Sequence, residues 1–119
     1  MPLGFLMGDE RTDPNLFTKD GKTALHLAVE SQLNAAVKLL LDNQRTDPNL
    51  FSNKGETSLH IAVSFGFGID SLVTLLLRNR RTDPNLLTSE GETALHLAVR
   101  RSSLRAVQLL LSNLRTDID

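Results

Sequence analysis

The sequence predicts an all-α solenoid, a stack of short helix pairs, from a repeated motif and its spacing. RTDPNL occurs at 11–16, 45–50 and 81–86, and a shortened form, RTDID, occupies 115–119 of the 119-residue chain. The starts of these segments are 34, 36 and 34 residues apart. A period of this length is typical of stacked supersecondary units, each of which buries its apolar flank against the next.

Each unit begins with a loop whose residues suit tight turns. In the first copy, Pro14 restricts its own φ and favours an extended Asp13, whereas Gly21 permits a positive φ. We therefore predict a finger-like loop over residues 11–21, referred to below as a finger. Asp13 and its equivalents are expected to make turn hydrogen bonds or to pair with the arginines of the repeated motif.

A first short helix follows the finger. Thr23 can cap its amino end with the side-chain hydroxyl, and Leu25 and Val29 belong to its apolar side. A helix of this length is not stable alone in water, so stacking must supply its stability. Leu25, Leu59 and Leu95, at equivalent positions, are accordingly predicted to be buried.

A second helix is predicted at about residues 35–43, after SQLN interrupts the first. Val37, Leu40 and Leu41 follow the i, i+3, i+4 spacing of an apolar helix face, and Leu39 widens that stripe. The apolar pattern therefore predicts two helices in each unit, both packed against their neighbours.

A second recurring string resembles the signature of a known family. TALHLAV stands at 23–29 and 93–99, and TSLHIAV at 57–63. Each begins two residues after a glycine, and the string is similar to the T-P-L-H-x-A motif of ankyrin repeats. The resemblance covers residues 11–119. Ala24, Ser58 and Ala94 replace the usual proline, which is favoured in a first helical turn but not required there.

The resemblance implies a single ankyrin repeat domain over 1–119. We define unit one as residues 11–44, unit two as 45–80 and unit three as 81–114. Residues 1–10 align with the end of a helix pair and are predicted to be a partial unit, and 115–119 the start of a further one. Unit two is longer by two residues, which fall between its helices.

Composition and charge exclude several functional classes. The formal net charge is −1, so no global field attracts nucleic acid or a membrane. The chain has no cysteine, which excludes disulfides, thiolate metal sites and cysteine nucleophiles and favours an intracellular protein, cytoplasmic or nuclear. No apolar run is long enough to predict a membrane-spanning segment.

The three histidines occupy equivalent positions in successive units. Neighbouring helices pack about 8–10 Å apart, so His26, His60 and His96 are too widely spaced to share one zinc ion, whose ligands lie near ~2 Å. As in the ankyrin family, each is expected to bond the local threonine and the neighbouring loop, with acid sensitivity as a consequence. The carboxylates follow the repeat and suggest no catalytic pair. We predict no enzyme activity, no metal and no cofactor.

Comparison of the units with one another indicates a binding surface. Units one and three are identical at 21 of 34 positions, and many differences fall at the fingertips and at the end of the first helix. In ankyrin repeats these places line a concave face that binds partners. The predicted partner-binding residues are Phe17, Lys19, Asp20, Lys22, Phe51, Asn53, Lys54, Glu56, Ser64, Phe65, Phe67, Leu87, Glu90, Glu92, Arg100 and Arg101.

The predicted function is non-catalytic recognition of a partner protein or peptide on this concave face. Exposed Phe17, Phe51 and Leu87 would act as apolar anchors. Two alternatives stay open. One is end-to-end stacking into a homo-oligomer. The other is recognition of an acidic or phosphorylated ligand, with nucleic acid less favoured, by the arginines of the second half of the chain. These are Arg78, Arg80, Arg81, Arg100, Arg101 and Arg105.

Overall fold

A computed structural model of the protein describes residues 13–65 and 70–118, with side chains described as far as residue 113. Within these ranges the regular structure is helical, apart from one β-bridge between Phe17 and Thr23 in the first finger. The predicted all-α class is therefore confirmed. The helices are α1 (Ala24–Glu30), α2 (Asn34–Asp42), α3 (Ser58–Ser64), α4 (Asp70–Arg78), α5 (Ala94–Arg100) and α6 (Leu104–Ile118).

The helices form two parallel rows. The first helices pack in the order α1, α3, α5, and the second helices in the order α2, α4, α6. Within each unit the two helices also contact each other. The three TxLHxA segments thus lie side by side, as a solenoid of stacked helix pairs requires.

The core between the rows is aliphatic. Leu25 and Leu59 are buried as predicted, but Leu95 is only half-buried. Within the described residues no unit packs on the outer side of α5, which explains the difference. The prediction for Leu39 is also wrong, because Leu39 is exposed while Val37 takes the inward position on α2.

A reciprocal cap fixes the amino end of each first helix. The His26 backbone N–H donates to the Thr23 hydroxyl (3.3 Å), and the Thr23 backbone N–H donates to His26 Nδ1 (3.0 Å). The same pair forms between Thr57 and His60 and between Thr93 and His96. The predicted threonine caps are confirmed, and the histidine completes a capping box.

The same histidines tie one unit to the next. Because Nδ1 accepts a backbone N–H, the ring proton lies on Nε2. His26 Nε2 then donates to the carbonyl of Glu56 (3.0 Å), and His60 Nε2 to that of Leu86 (3.0 Å). Burial lowers the pKa of His26 and of His60, although the carbonyl bonds favour the protonated ring. The predicted structural role is confirmed for these two histidines.

The asparagine of RTDPNL bonds one copy of the motif to the next, which gives the recurrence of the motif a structural reason. Asn15 Nδ2 donates to the Arg45 carbonyl (2.8 Å), and the Asp47 N–H donates back to Asn15 Oδ1 (2.7 Å). Asn49 makes the same two contacts with Arg81 and Asp83, at 2.7 and 2.8 Å. Each pair of successive copies is thus joined by two hydrogen bonds, one donated in each direction.

The motif's aspartates and Arg81 have separate partners. Asp13, Asp47 and Asp83 each accept a bond from the backbone N–H two residues on, at 2.8–2.9 Å, so the predicted turn bonds are confirmed. The Arg81 guanidinium instead donates to the Leu41 carbonyl in the last turn of α2 (2.8 Å) and to the Gln44 carbonyl just after the helix (2.9 Å). An arginine there satisfies carbonyls that a helix end leaves without intrahelical partners.

The carboxyl end differs from the sequence-based expectation. Helix α6 continues to Ile118, so residues 115–118 are helical where we expected the start of a further loop. The earlier copies carry Pro14, Pro48 and Pro84, which disfavour a helix through the preceding aspartate. Ile118 stands in that place here and allows the helix to continue. The predicted partial unit at 1–10 lies outside the described residues.

Candidate partner-binding site

Each finger is closed by its own hydrogen bonds. In the first, the Thr18 N–H donates to the Lys22 carbonyl (3.0 Å) and the Gly21 N–H to the Thr18 carbonyl (2.8 Å). Gly21 has a φ of +74°, which side chains disfavour. The same bonds recur in the other two fingers, so the fingertips are held in defined positions.

Neighbouring fingers also bond to each other. The Asn53 backbone N–H donates to the Asp20 carbonyl (2.9 Å), and its side-chain amide donates to the Lys19 carbonyl (2.7 Å). A Cβ on Gly21 would lie 2.5 Å from Asn53 Oδ1, so glycine is needed for this close approach. Asn53, predicted to bind a partner, therefore also aligns two fingers.

The apolar residues at the fingertips are exposed. Phe17 is 72% exposed, Phe51 44% and Leu87 54%. Phe65, in contrast, is half-buried and packs against the core, and Phe67 lies outside the described residues. We name Phe17, Phe51 and Leu87 the apolar ladder.

A polar cleft of about 160 Å³ opens between the second and third fingers and the ends of α3 and α5. Seven of the predicted partner-binding residues line it, joined by others from the same finger and helix. The predicted ones are Lys54, Glu56, Ser64, Glu90, Glu92, Arg100 and Arg101. Residues far apart in sequence thus meet in one cleft because the fingers lie beside the first helices.

Two ion pairs join fingers to first helices. The Lys22 ammonium lies 2.8 Å from the Glu30 carboxylate, and this bond raises the pKa of Lys22. At equivalent positions in unit three, the Arg100 guanidinium pairs with the Glu92 carboxylate. The two pairs occupy equivalent positions with the charges exchanged. The cation belongs to the finger in unit one and to the first helix in unit three.

The remaining predicted residues differ in exposure. Lys22, Glu56, Ser64 and Glu92 are half-buried. The exposed set comprises Lys19, Asp20, Asn53, Lys54, Glu90, Arg100 and Arg101. Of the half-buried residues, Lys22, Glu56 and Glu92 each stand directly before the threonine that caps a first helix.

Sequence reasoning missed three residues of the cleft, which are Thr88, Ser89 and Leu97. Thr88 and Leu97 are identical in units one and three, so a comparison of those units could not select them. Ser89 stands where unit one has Lys19, and that difference could have identified it. The Ser89 hydroxyl also donates to the Lys54 carbonyl (3.2 Å) across the two fingers.

The described residues contain no grouping of histidine and carboxylate side chains that could hold a metal ion. In the same part of the chain, no helix combines the length and apolar character needed to cross a membrane.

Comparisons with known proteins agree with this architecture. A family model described as ankyrin repeats (3 copies) matches residues 3–86, and one described as ankyrin repeats (many copies) matches residues 69–111. A search of curated proteins found no match. Among solved structures, an ankyrin repeat domain from Acinetobacter baumannii AYE is similar, with a TM-score of 0.79 and 30% identity. The alignment covers 85% of this chain and 52% of that one, so this chain spans about half the neighbour's length. Because the first family model spans well over half of the sequence, the chain belongs to the ankyrin repeat family.

Proposed function

We propose that this protein is a non-catalytic interaction module that binds a segment of a partner protein on its concave face. That face comprises the fingers and helices α1, α3 and α5. Ankyrin repeats are in general protein–protein interaction modules, and their fold is typically non-catalytic. The division into units at 11–44, 45–80 and 81–114 and an intracellular location are retained as parts of this proposal.

The observation that carries the proposal is the separation of constant and variable positions. Several residues that recur between units, such as His26 and His60, are buried and bond one unit to the next. Variable residues converge on the cleft between the second and third fingers. A constant frame with a variable face is the arrangement that selection for a specific partner would produce.

The apolar ladder supplies the expected source of affinity. Exposed aromatic side chains contribute much of the binding energy at protein interfaces once a partner excludes water from them. Phe17 and Phe51 occupy equivalent places in fingers that bond directly to each other. They can therefore contact one continuous segment of a partner.

The test replaces both aromatic side chains at once. Peptides are selected from a displayed random library on the whole chain, and their Kd is measured by calorimetry. The Phe17→Ala/Phe51→Ala variant should raise Kd by about tenfold or more, because anchors of this kind each contribute over about 1 kcal/mol. Its circular dichroism should match that of wild type, since both side chains are exposed.

Leu39→Ala is the matched control, since Leu39 is an exposed apolar residue on α2, in the other row of helices. It should leave Kd unchanged. Equal binding by the fingertip variant and wild type would place the site elsewhere. Phe65 is unsuitable for this test because it packs against the core.

The outer flank of unit three supports a second candidate, end-to-end association. Val99 and Leu104 are exposed there and line an apolar cavity of about 500 Å³ with Ala98 and Val107. Leu104 stands at a helix start where α2 has Asn34 and α4 has Asp70. A second copy packed on this flank would bury both side chains.

Light scattering over a concentration series tests this candidate. Association should increase the mean mass with concentration, and Val99→Lys should abolish the increase by placing a charge in the contact. A wild-type protein that stays monomeric at the highest concentration would remove this candidate and leave concave-face binding unaffected.

A further inference from the structure

One pair of positions on the concave face carries a different charge arrangement in each unit. Unit one has Lys22 paired with Glu30, and unit three has Glu92 paired with Arg100. The equivalent residues of unit two are Glu56 and Ser64. The middle unit therefore has the carboxylate of such a pair without the cation.

Glu56 is held in place at its backbone. Its carbonyl accepts bonds from His26 Nε2 (3.0 Å) and from the Ser52 N–H (2.9 Å). Among the described residues, its half-buried carboxylate forms no ion pair or hydrogen bond. Ser64 does not take the place of the missing cation beside Glu56. Its hydroxyl donates instead to the His60 carbonyl of its own helix (2.9 Å). The Lys22 ammonium interacts with this carboxylate electrostatically but is ion-paired with Glu30. Among the described residues, the Glu56 carboxylate therefore lines the cleft without an ion-pair partner of its own.

The charges of the cleft balance in number but differ in exposure. Glu92 and Arg100 neutralise each other, which leaves Glu56 and Glu90 against Lys54 and Arg101. Lys54, Glu90 and Arg101 are exposed, so water and salt screen them strongly. Glu56 is the least exposed of the four, so solvent and salt screen its charge least.

We propose, building on the proposed function, that this cleft accepts one lysine or arginine side chain of the bound protein segment. Glu56 is its counter-ion. Ser64 leaves free the space that the longer side chains of Glu30 and Arg100 take in the flanking units. The ligand's cation completes in unit two the pair that units one and three form internally.

This assignment reverses the charge expected from the sequence, which suggested an acidic partner. Three of the arginines behind that expectation already have partners within the protein. Arg100 binds Glu92, Arg105 binds Asp70 at 3.1 Å, and Arg81 binds backbone carbonyls. The charges left at the cleft favour a cation next to Glu56.

The experiment compares peptides selected from one displayed random library on wild type and on Glu56→Gln, each used as the whole chain. Wild-type binders should be enriched in lysine or arginine at one shared position. Replacing that residue by glutamine should raise Kd about tenfold, the usual effect of losing a charge-assisted hydrogen bond. Glu56→Gln should raise Kd equally, and the two changes together should add little more.

Two further variants sharpen the result. Ser64→Arg supplies an internal cation to Glu56 and should weaken binding of the basic peptides while preserving the circular dichroism spectrum. Asp42→Asn, which removes an exposed carboxylate from α2 in the other row of helices, is the matched control and should leave Kd unchanged.

Three outcomes would overturn the proposal. Binders that lose affinity in Phe17→Ala/Phe51→Ala but show no basic preference would refute the role of Glu56 and leave the proposed function standing. Binders enriched in aspartate or glutamate would assign the cleft to Lys54 and Arg101 instead. A library that yields no binder would refute both the proposed function and this extension of it.

Discussion

Units one and three contain the same seven residues, TALHLAV, yet the structure treats the two copies differently. Val29 is 0% exposed, whereas Val99, its equivalent, is 63% exposed. His26 is buried and bonded to the next unit, whereas His96 is exposed. Both segments form the same capped helix. Local sequence therefore determines the helix and its cap, and the neighbouring unit determines what is buried.

The largest effect is expected when the equivalent leucine of a first helix is truncated in unit two, where it is buried, and in unit three, where it is half-buried. Leu59→Ala should lower the free energy of unfolding by about 3–5 kcal/mol, because it leaves a cavity in a packed core. Leu95→Ala should cost about half as much, since Leu95 is only half-buried. Urea denaturation followed by circular dichroism measures both values. Equal losses would mean that the flank of unit three is covered in solution.

Glycine substitution tests the contact between fingers. Gly55 and Gly91 both have positive φ, but a Cβ on Gly55 would lie 2.7 Å from Ser89 Cβ and one on Gly91 would meet nothing within 4 Å. Gly55→Ala should therefore cost about 2–4 kcal/mol, from backbone strain and overpacking. Gly91→Ala should cost about 1 kcal/mol, from strain alone. Thermal unfolding of the two variants gives the comparison directly.

Acid should destabilise the buried interfaces through their histidines. Burial lowers the pKa of His26 and His60, so the unfolded chain takes up protons that the folded protein excludes. The stability they contribute is complete above the unfolded pKa of about 6.5 and is lost as pH falls toward their folded values.

The test measures the free energy of unfolding as a function of pH, from neutral pH down to the pH at which carboxylates begin to take up protons. His26→Gln/His60→Gln should flatten the curve. A wild-type curve without slope over this range would contradict the role assigned to the two buried rings.

The smallest expected effect concerns the turn between the two helices of a unit. Gln32 and Ser102 have φ of 56° and 57°, a conformation that costs a residue with a side chain about 1 kcal/mol. Gln32→Gly should raise stability by about 0.5–1 kcal/mol by removing that strain, and Ser102→Gly should do the same. Both substitutions touch the turn alone, so unequal gains in melting temperature would reveal a further contact in one of the units.

Part of the proposed binding site could be predicted from the sequence and part could not. Comparing the units selected Phe17, Phe51 and Leu87, whose exposure the structure confirms, and it selected most of the residues lining the cleft. It could not separate Asn53, whose side chain bonds a neighbouring finger, from residues that face solvent. It also selected Phe65 without showing that this side chain is half-buried and packs against the core, because an aromatic residue after a helix can pack inward or outward with the same sequence.

The sequence alone determined the repeat, the two helices of each unit, the threonine caps and the finger glycines, because these depend on residues within one turn or one loop of each other. The tertiary structure decided which copies of an identical segment are buried and which arginines already have partners. It also left the Glu56 carboxylate without an ion-pair partner among the described residues. Those properties depend on distances between units, and such distances exist only once the apolar flanks have packed together.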